Sequence, residues 1–348
     1  MTGHNDNVEQ ILEHEERSRW RMIGWWFTGF LCFGAVIIFI LHLGELEKFL
    51  EVIHNTRPQW LILAALVQAL SYASATGVWY LVLKASGHPI RFRSLYPLSI
   101  AQLFAKQALP SSGLSGVFLV VKGLLNRHVP EPIGMGCMLA GAISYYIAYM
   151  LSVLISLAVL AFYHLLTLPL LIMALILCLV AVGVPAAILW LRTLGMHHRL
   201  PAFVTRWKPA KTILRLLAEA PMHILKNYPL LAKISLLQLS VYCIDSATLL
   251  IMLHAVGYVQ PYPIVFASFV MAAVVGTVLP VPLGLGTFEG TCVTMLHLFK
   301  VPLEPALIAV LLLRGFTFWL PMIPGLWLAR REIHHTLRNA PREIRNFS

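Results

Sequence analysis

Four ionisable side chains stand in otherwise apolar stretches: Lys106, Asp245, Glu289 and Arg314. Two are bases and two are acids, so two chemistries are open. In the first, Asp245 with Arg314 and Lys106 with Glu289 form structural ion pairs. In the second, Arg314 and Lys106 meet an anionic group, and the acids hold the cations when that group is absent. A phosphate suits the second chemistry, because a planar guanidinium fork donates two parallel hydrogen bonds to it. Two Pro/Gly-rich breaks accompany these charges: Leu109-Pro110-Ser111-Ser112-Gly113-Leu114-Ser115-Gly116 and Leu279-Pro280-Val281-Pro282-Leu283-Gly284-Leu285-Gly286. Helices starting near Ser115 and Thr287 aim unpaired N–H groups back at the breaks, where an anion is favoured. The candidate binding residues are therefore Arg314, Glu289, Lys106, Asp245, Ser112, Gly113, Gly284, Gly286 and Thr287. Glu289 has a second explanation, since a carboxylate in the first turn of a helix is stabilised by the free N–H groups and the dipole. Gln102 and Gln107 flank Lys106, either lining a polar path or hydrogen-bonding between helices.

The elements that must position these residues are set by hydrophobicity. Of 348 residues, 59% are hydrophobic and only 12% charged, with a mean hydropathy of +0.77. Soluble domains are about 45–50% apolar and about 25% charged. A bilayer hides so much apolar surface; a soluble core of this length does not. Crossing roughly 30 Å of hydrocarbon takes about 20 apolar residues. Six runs qualify: Met22–His42, Trp60–Lys84, Ile133–Phe162, Leu168–Leu191, Leu230–His254 and Pro305–Ala329. Trp20, Trp25, Trp26, Trp60 and Trp327 lie at or near their ends, as an aromatic belt requires. Two further stretches, Ser94–Arg127 and Pro263–Lys300, contain the breaks. The arm after each break has a dozen or so residues and reaches roughly 20 Å, too short to span. The expectation is an all-α polytopic membrane protein with six transmembrane helices and two re-entrant helical hairpins. The four intramembrane charges then fall near the midplane, where ionisable groups are costly and functional by default.

Basic residues support this topology. With the N-terminus inside, Arg17, Arg19, Arg21, Lys84, Arg91, Arg93, Lys122, Arg127, the cluster from Arg192 to Lys226, and Arg330 to Arg345 are all cytoplasmic. Outside segments hold only Lys48, Arg57 and Lys300. Residues 1–19 are then a cytoplasmic tail, 20–329 the membrane domain and 330–348 a basic cytoplasmic tail. Within the membrane domain, landmarks recur at an offset of 170. Leu109-Pro110 matches Leu279-Pro280, and Gln68, Tyr72, Gly87, Gly116, Phe118 and Pro132 match Gln238, Tyr242, Gly257, Gly286, Phe288 and Pro302. The order span, hairpin, Pro-Glu-Pro turn, span also repeats, giving unit A at about 58–162 and unit B at about 229–329. The span Leu168–Leu191 between them inverts the second unit, a recurrent transporter design. Residues 209–228 read either as an amphipathic helix on the cytoplasmic surface or as a packed connector.

Other classes find no support. The net charge of +11 lies in loops and tails, following topology and not nucleic acid. Cys32, Cys137, Cys178, Cys243 and Cys292 fall in apolar segments at irregular spacing and read as small buried hydrophobes. No histidine cluster has metal spacing, so no metal and no cofactor are expected. There is no P-loop, dinucleotide fingerprint or nucleophile elbow. The first apolar run is too long for a signal h-region, so no cleaved leader is expected.

The run Pro280-Val-Pro-Leu-Gly-Leu-Gly-Thr-Phe-Glu289, with Arg314 downstream, resembles a signature of the lysylphosphatidylglycerol synthase membrane region, or flippase-like domain, family. Leu109-Pro-Ser-Ser-Gly-Leu-Ser-Gly116 looks like that family's first Pro/Gly tip, and the resemblance covers roughly residues 20–330. Leu283 stands where the family usually has Gly, and the first tip has Ser115 and Lys122 in place of acidic and Arg residues. The resemblance is to a stand-alone member without the soluble synthase domain. It implies movement of a lipid between leaflets, or its presentation to a synthase. The leading expectation is a cell-membrane translocase for an anionic or zwitterionic lipid, a phospholipid or polyprenyl phosphate, with both termini cytoplasmic; a homo-oligomer is compatible with it. The rivals are a membrane subunit or transferase for lipid-linked aminoacyl or glycosyl modification, and a small-solute transporter.

Overall fold

Proline, asparagine and left-handed residues set the helix boundaries. In the computed structural model, residues 58–108, 114–196, 221–278 and 286–328 are described, apart from 323 and 326. Helix α1 (Pro58–Ala85) opens on a proline, whose missing N–H costs nothing in a first turn. The hairpin arms α2 (Phe92–Ala108) and α3 (Leu114–Leu125) follow, then the long α4 (Glu131–Phe162) and α5 (Leu168–Met196). A single turn, α6 (Met222–Leu225), precedes α7 (Tyr228–Ala255). The Asn227 side chain caps α7 by accepting the Leu230 N–H at 3.1 Å. The second pair of arms is α8 (Tyr262–Val278) and α9 (Thr287–Leu298), and α10 (Leu303–Arg314) comes last. Among the described residues there is no strand. Among the described residues, five helices are long and apolar enough to cross a membrane: Gln59–Ala85, Glu131–Phe162, Leu170–Ala187, Tyr228–Ala255 and Leu303–Met322. The chain is an all-α polytopic membrane protein. The expected span Met22–His42, both terminal tails and most of residues 209–228 lie outside the described residues.

The two halves share a helix plan. α1 and α7 have 28 residues each, α2 and α8 have 17, and α3 and α9 have 12. Arms of 17 and 12 residues are roughly 26 and 18 Å long, both under the hydrocarbon thickness. α1 and α7 end identically. Gly87 (φ 78°) and Gly257 (φ 86°) are left-handed, and the next N–H groups, of His88 and Tyr258, bond back to Leu83 and Leu253 at 3.0 and 2.9 Å. α3 and α9 close in the same way through His128 (φ 60°) and Lys300 (φ 67°), with Val129 and Val301 each donating to Leu124 and Leu296 at 3.1 Å. The offset of 170 therefore holds for α1/α7 and α2/α8 only. Beyond the breaks the left-handed residues that close α3 and α9 are 172 apart, because the second break is longer. Pro130 thus corresponds to Pro302, and the constant-offset matches Gly116/Gly286 and Pro132/Pro302 are out of register.

α1 packs along α7, and the two are antiparallel. The Trp60 ring stacks on His254 with centroids 5.8 Å apart, Gln68 meets Thr248, and Gly77 faces Leu237. α2 packs on α3 and α8 on α9, while α4 contacts both α7 and α8. One core joins Val78, Leu83, Leu98, Leu124 and Met138 to Ile224 and Ile234. Ile224 and Leu225, at the described end of the 209–228 segment, are buried there. A second core joins Leu160, Ile264, Met271, Met295 and Phe299. Hydroxyls at Ser152 and Ser156 return to carbonyls of their own helix at 2.8 Å, so small polar residues are buried without loss.

The last span departs from the expected uninterrupted helix. After Arg314 it widens into a π turn, Gly315–Trp319. Pro321 explains this: it lacks an N–H and its ring crowds the carbonyl one turn back. Leu320 donates to Gly315 in the wider pattern. Phe316 would then need a donor from position 321, which proline does not have. The Tyr72 hydroxyl of α1 supplies it at 2.9 Å.

Candidate functional site

Glu289 occupies the third position of α9, behind an N-terminal residue, Gly286, with φ 78°. Only glycine takes that left-handed conformation without a steric penalty. The arrangement lets the Glu289 carboxylate fold back, its Oε2 accepting the Gly286 N–H at 2.7 Å. Its other oxygen, Oε1, accepts from Arg314 Nε at 2.5 Å. One carboxylate thus ties the start of the returning hairpin arm to the end of the regular helix in the last span.

Burial makes this pair strong. The side chains of Arg314 and Glu289 are 18% and 10% exposed. The guanidinium also lies over the Phe288 ring, 4.5 Å from its centroid, and 5.8 Å from that of Phe318. A cation over desolvated aromatic faces gains about 2 kcal/mol. Removing one partner of such a buried pair costs about 3–5 kcal/mol. Among the described residues, Glu289 engages the guanidinium through Nε. Its Nη2 is buried and has no hydrogen-bond partner among the described residues. A buried N–H left unpaired costs about 1–3 kcal/mol, and an anion beside it would recover that energy.

Asp245 is elsewhere. Its Oδ1 accepts from Ser71 Oγ at 2.7 Å and from Gln68 Nε2 at 3.2 Å. Gln68 Oε1 in turn accepts from Thr248 at 3.3 Å. The pairing of Asp245 with Arg314 is therefore not formed, because Glu289, one short hairpin arm away, takes the guanidinium. Thr287 is half-buried at the start of α9. Ser112, Gly113 and Gly284 lie outside the described residues, as does the side chain of Lys106, whose backbone is in the last turn of α2. Among the described residues no group of His, Cys, Asp and Glu is arranged to hold a metal.

Residues 26–325 match the family model described as the lysylphosphatidylglycerol synthase TM region. The chain belongs to that family. No curated protein matches it. Membership in the lysylphosphatidylglycerol synthase TM family connects the chain with lipid modification or flipping. Sequence reasoning picked Arg314 and Glu289 but missed what surrounds them: Phe288, Phe318 and the Tyr72-supported π turn. Pro321, seven residues after Arg314, was the available signal for that turn.

Proposed function

We propose that this family member is a lipid translocase. An anionic or zwitterionic headgroup, of a phospholipid or a polyprenyl phosphate, passes between two re-entrant hairpin tips near the bilayer midplane while its tails stay in lipid. The observation that carries this reading is the Arg314 guanidinium. It is held at membrane depth by a neutralising carboxylate and two aromatic rings, with Nη2 buried and without a hydrogen-bond partner among the described residues. A phosphate oxygen matches that vacancy in charge and geometry. The dipole of α9 favours negative charge at its start, where Glu289 already uses the Gly286 N–H. In this reading Lys106, Ser112 and Gly113 serve from the first tip and Gly284 from the second; Asp245 takes a different part, argued below.

Three features support transport over static binding: paired arms too short to span, a helix plan present in both halves, and antiparallel packing of the equivalent helices α1 and α7. Together they suit an inverted repeat in which one half rocks against the other around a central site. The test is purified protein in liposomes with labelled phosphatidylglycerol, a zwitterionic phospholipid and a polyprenyl phosphate. Arg314→Ala and Glu289→Gln should stop flipping while keeping monodisperse elution and wild-type helicity. Wild-type flipping by either variant rejects the site.

A further inference from the structure

The acids at membrane depth are not held alike. Arg314 and Glu289 neutralise each other, which leaves Asp245 and Lys106, and the side chain of Lys106 lies outside the described residues. The groups around Asp245 come from α1, α4, α8 and α10; α6, which also packs on α7, lies by its first turn. α1 presents Gln68, Ser71 and Tyr72, the last committed to the Phe316 carbonyl. α4 presents Tyr145 and Tyr149, whose rings lie against Tyr242, three residues before Asp245. α8 presents Tyr262, bonded to Ser246 at 3.0 Å and to the Cys243 carbonyl at 2.9 Å. α10 presents Arg314, already paired. No Lys, Arg or His among the described residues meets Asp245. A carboxylate in hydrocarbon with no cation beside it among the described residues is a costly group for a span to hold.

Its position adds a second observation. Asp245 lies on the seam between α1 and α7, the equivalent helices of the two halves. Gln68 and Tyr72 have counterparts in Gln238 and Tyr242, but the position matching Asp245 is Ala75. Hydrogen-bonding glue alone would work with neutral residues in both halves. Here an acid stands in one half only, and two donors from the other half converge on a single oxygen. Hydrogen bonds to a carboxylate are roughly twice as strong as those to a neutral acid. Ionised Asp245 therefore locks α1 to α7, and a proton on it loosens both bonds at once.

We propose that Asp245 is a proton site whose occupancy gates movement of one half against the other, so that transport is proton-coupled. A proton taken from water on one side joins the carboxylate and is released to water on the other side after the halves rearrange. The coupling rests on the translocase reading; the proton lock does not. Two measurements separate them. In liposomes, a pH gradient of one unit should bias the leaflet distribution of labelled lipid by up to about tenfold for one proton per cycle, and Asp245→Asn should lose that bias. Infrared difference spectra between acid and alkaline pH should show a protonated-carboxyl band that Asp245→Asn removes and Ser71→Ala moves along the pH axis. Lipid flipping indifferent to the gradient, or a gradient response retained in Asp245→Asn, overturns the coupling and leaves the translocase reading intact. A titrating band without flipping of any lipid keeps the lock and rejects the translocase. A spectrum unchanged by Asp245→Asn rejects the proton site itself.

Discussion

Replacing Tyr72 by Phe removes one hydroxyl and almost no volume, and the structure predicts an unusually large cost for so small a change. The hydroxyl donates to the Phe316 carbonyl at 2.9 Å, inside the π turn that follows Arg314. A typical hydrogen bond between membrane helices is worth about 0.6 kcal/mol, with a maximum near 1.7. The low average arises because freed groups find new partners. Phe316 has none on its own strand of helix: Leu320 is committed to Gly315, and Pro321 has no N–H to give. The cost should therefore sit near the top of the range, about 1–2 kcal/mol. Equilibrium unfolding in bicelles measures it. The decisive comparison is a double-mutant cycle with Pro321→Ala, which restores an N–H at position 321. In that background Tyr72→Phe should cost less than half as much. Equal costs in both backgrounds would refute the account of the π turn. Because the turn begins at the residue after Arg314, Tyr72→Phe should also slow lipid flipping more than an equally destabilising change remote from the site.

Two further outcomes follow from the same geometry. Arg314→Lys keeps the charge but replaces a fork by a point charge and loses the planar face over Phe288; flipping should fall about tenfold or more, for the loss of about 1.4 kcal/mol, and a rate within twofold of wild type would exclude recognition by the fork. Gly325→Ala would place a Cβ 2.5 Å from Phe104 Cβ and 3.3 Å from the Ile100 carbonyl, on the first arm of the first hairpin; thermal unfolding should show a loss of about 1–3 kcal/mol, and a neutral result would mean that this arm does not rest on the end of the last span.

The sequence made some of this legible and hid the rest for physical reasons. Apolar length marked the spans, and Pro/Gly density marked the two breaks, because a bilayer tolerates few ways of satisfying a backbone. Arg314 and Glu289 were conspicuous because ionised groups are rare at that depth. Who pairs with whom was not readable. Glu289 is 25 residues from Arg314, whereas the partners of Asp245 are 174 and 177 residues away. Composition says that a charge must be paired or solvated; only packing decides which face meets which.

The repeat shows where legibility ends. Gly87 and Gly257 match because a left-handed residue at a helix end selects for glycine, so geometry left its mark on residue type. His128 and Lys300 hold the same conformation in equivalent places, yet they share no chemistry. A left-handed non-glycine residue costs about 1–2 kcal/mol, a strain that a packed helix end absorbs without a particular side chain. Register is therefore visible before the breaks and lost after them, where one break is longer and no residue type is forced. The asymmetry has a functional side. In the proposed translocase, unequal breaks would give the two halves different tips, and with Asp245 on one side of the α1–α7 seam the two directions of movement would differ. Equalising the breaks by deleting three residues from 281–285 should therefore change the ratio of inward to outward lipid flux before it changes stability, since those residues lie between arms that are each tied down by their own caps and cores.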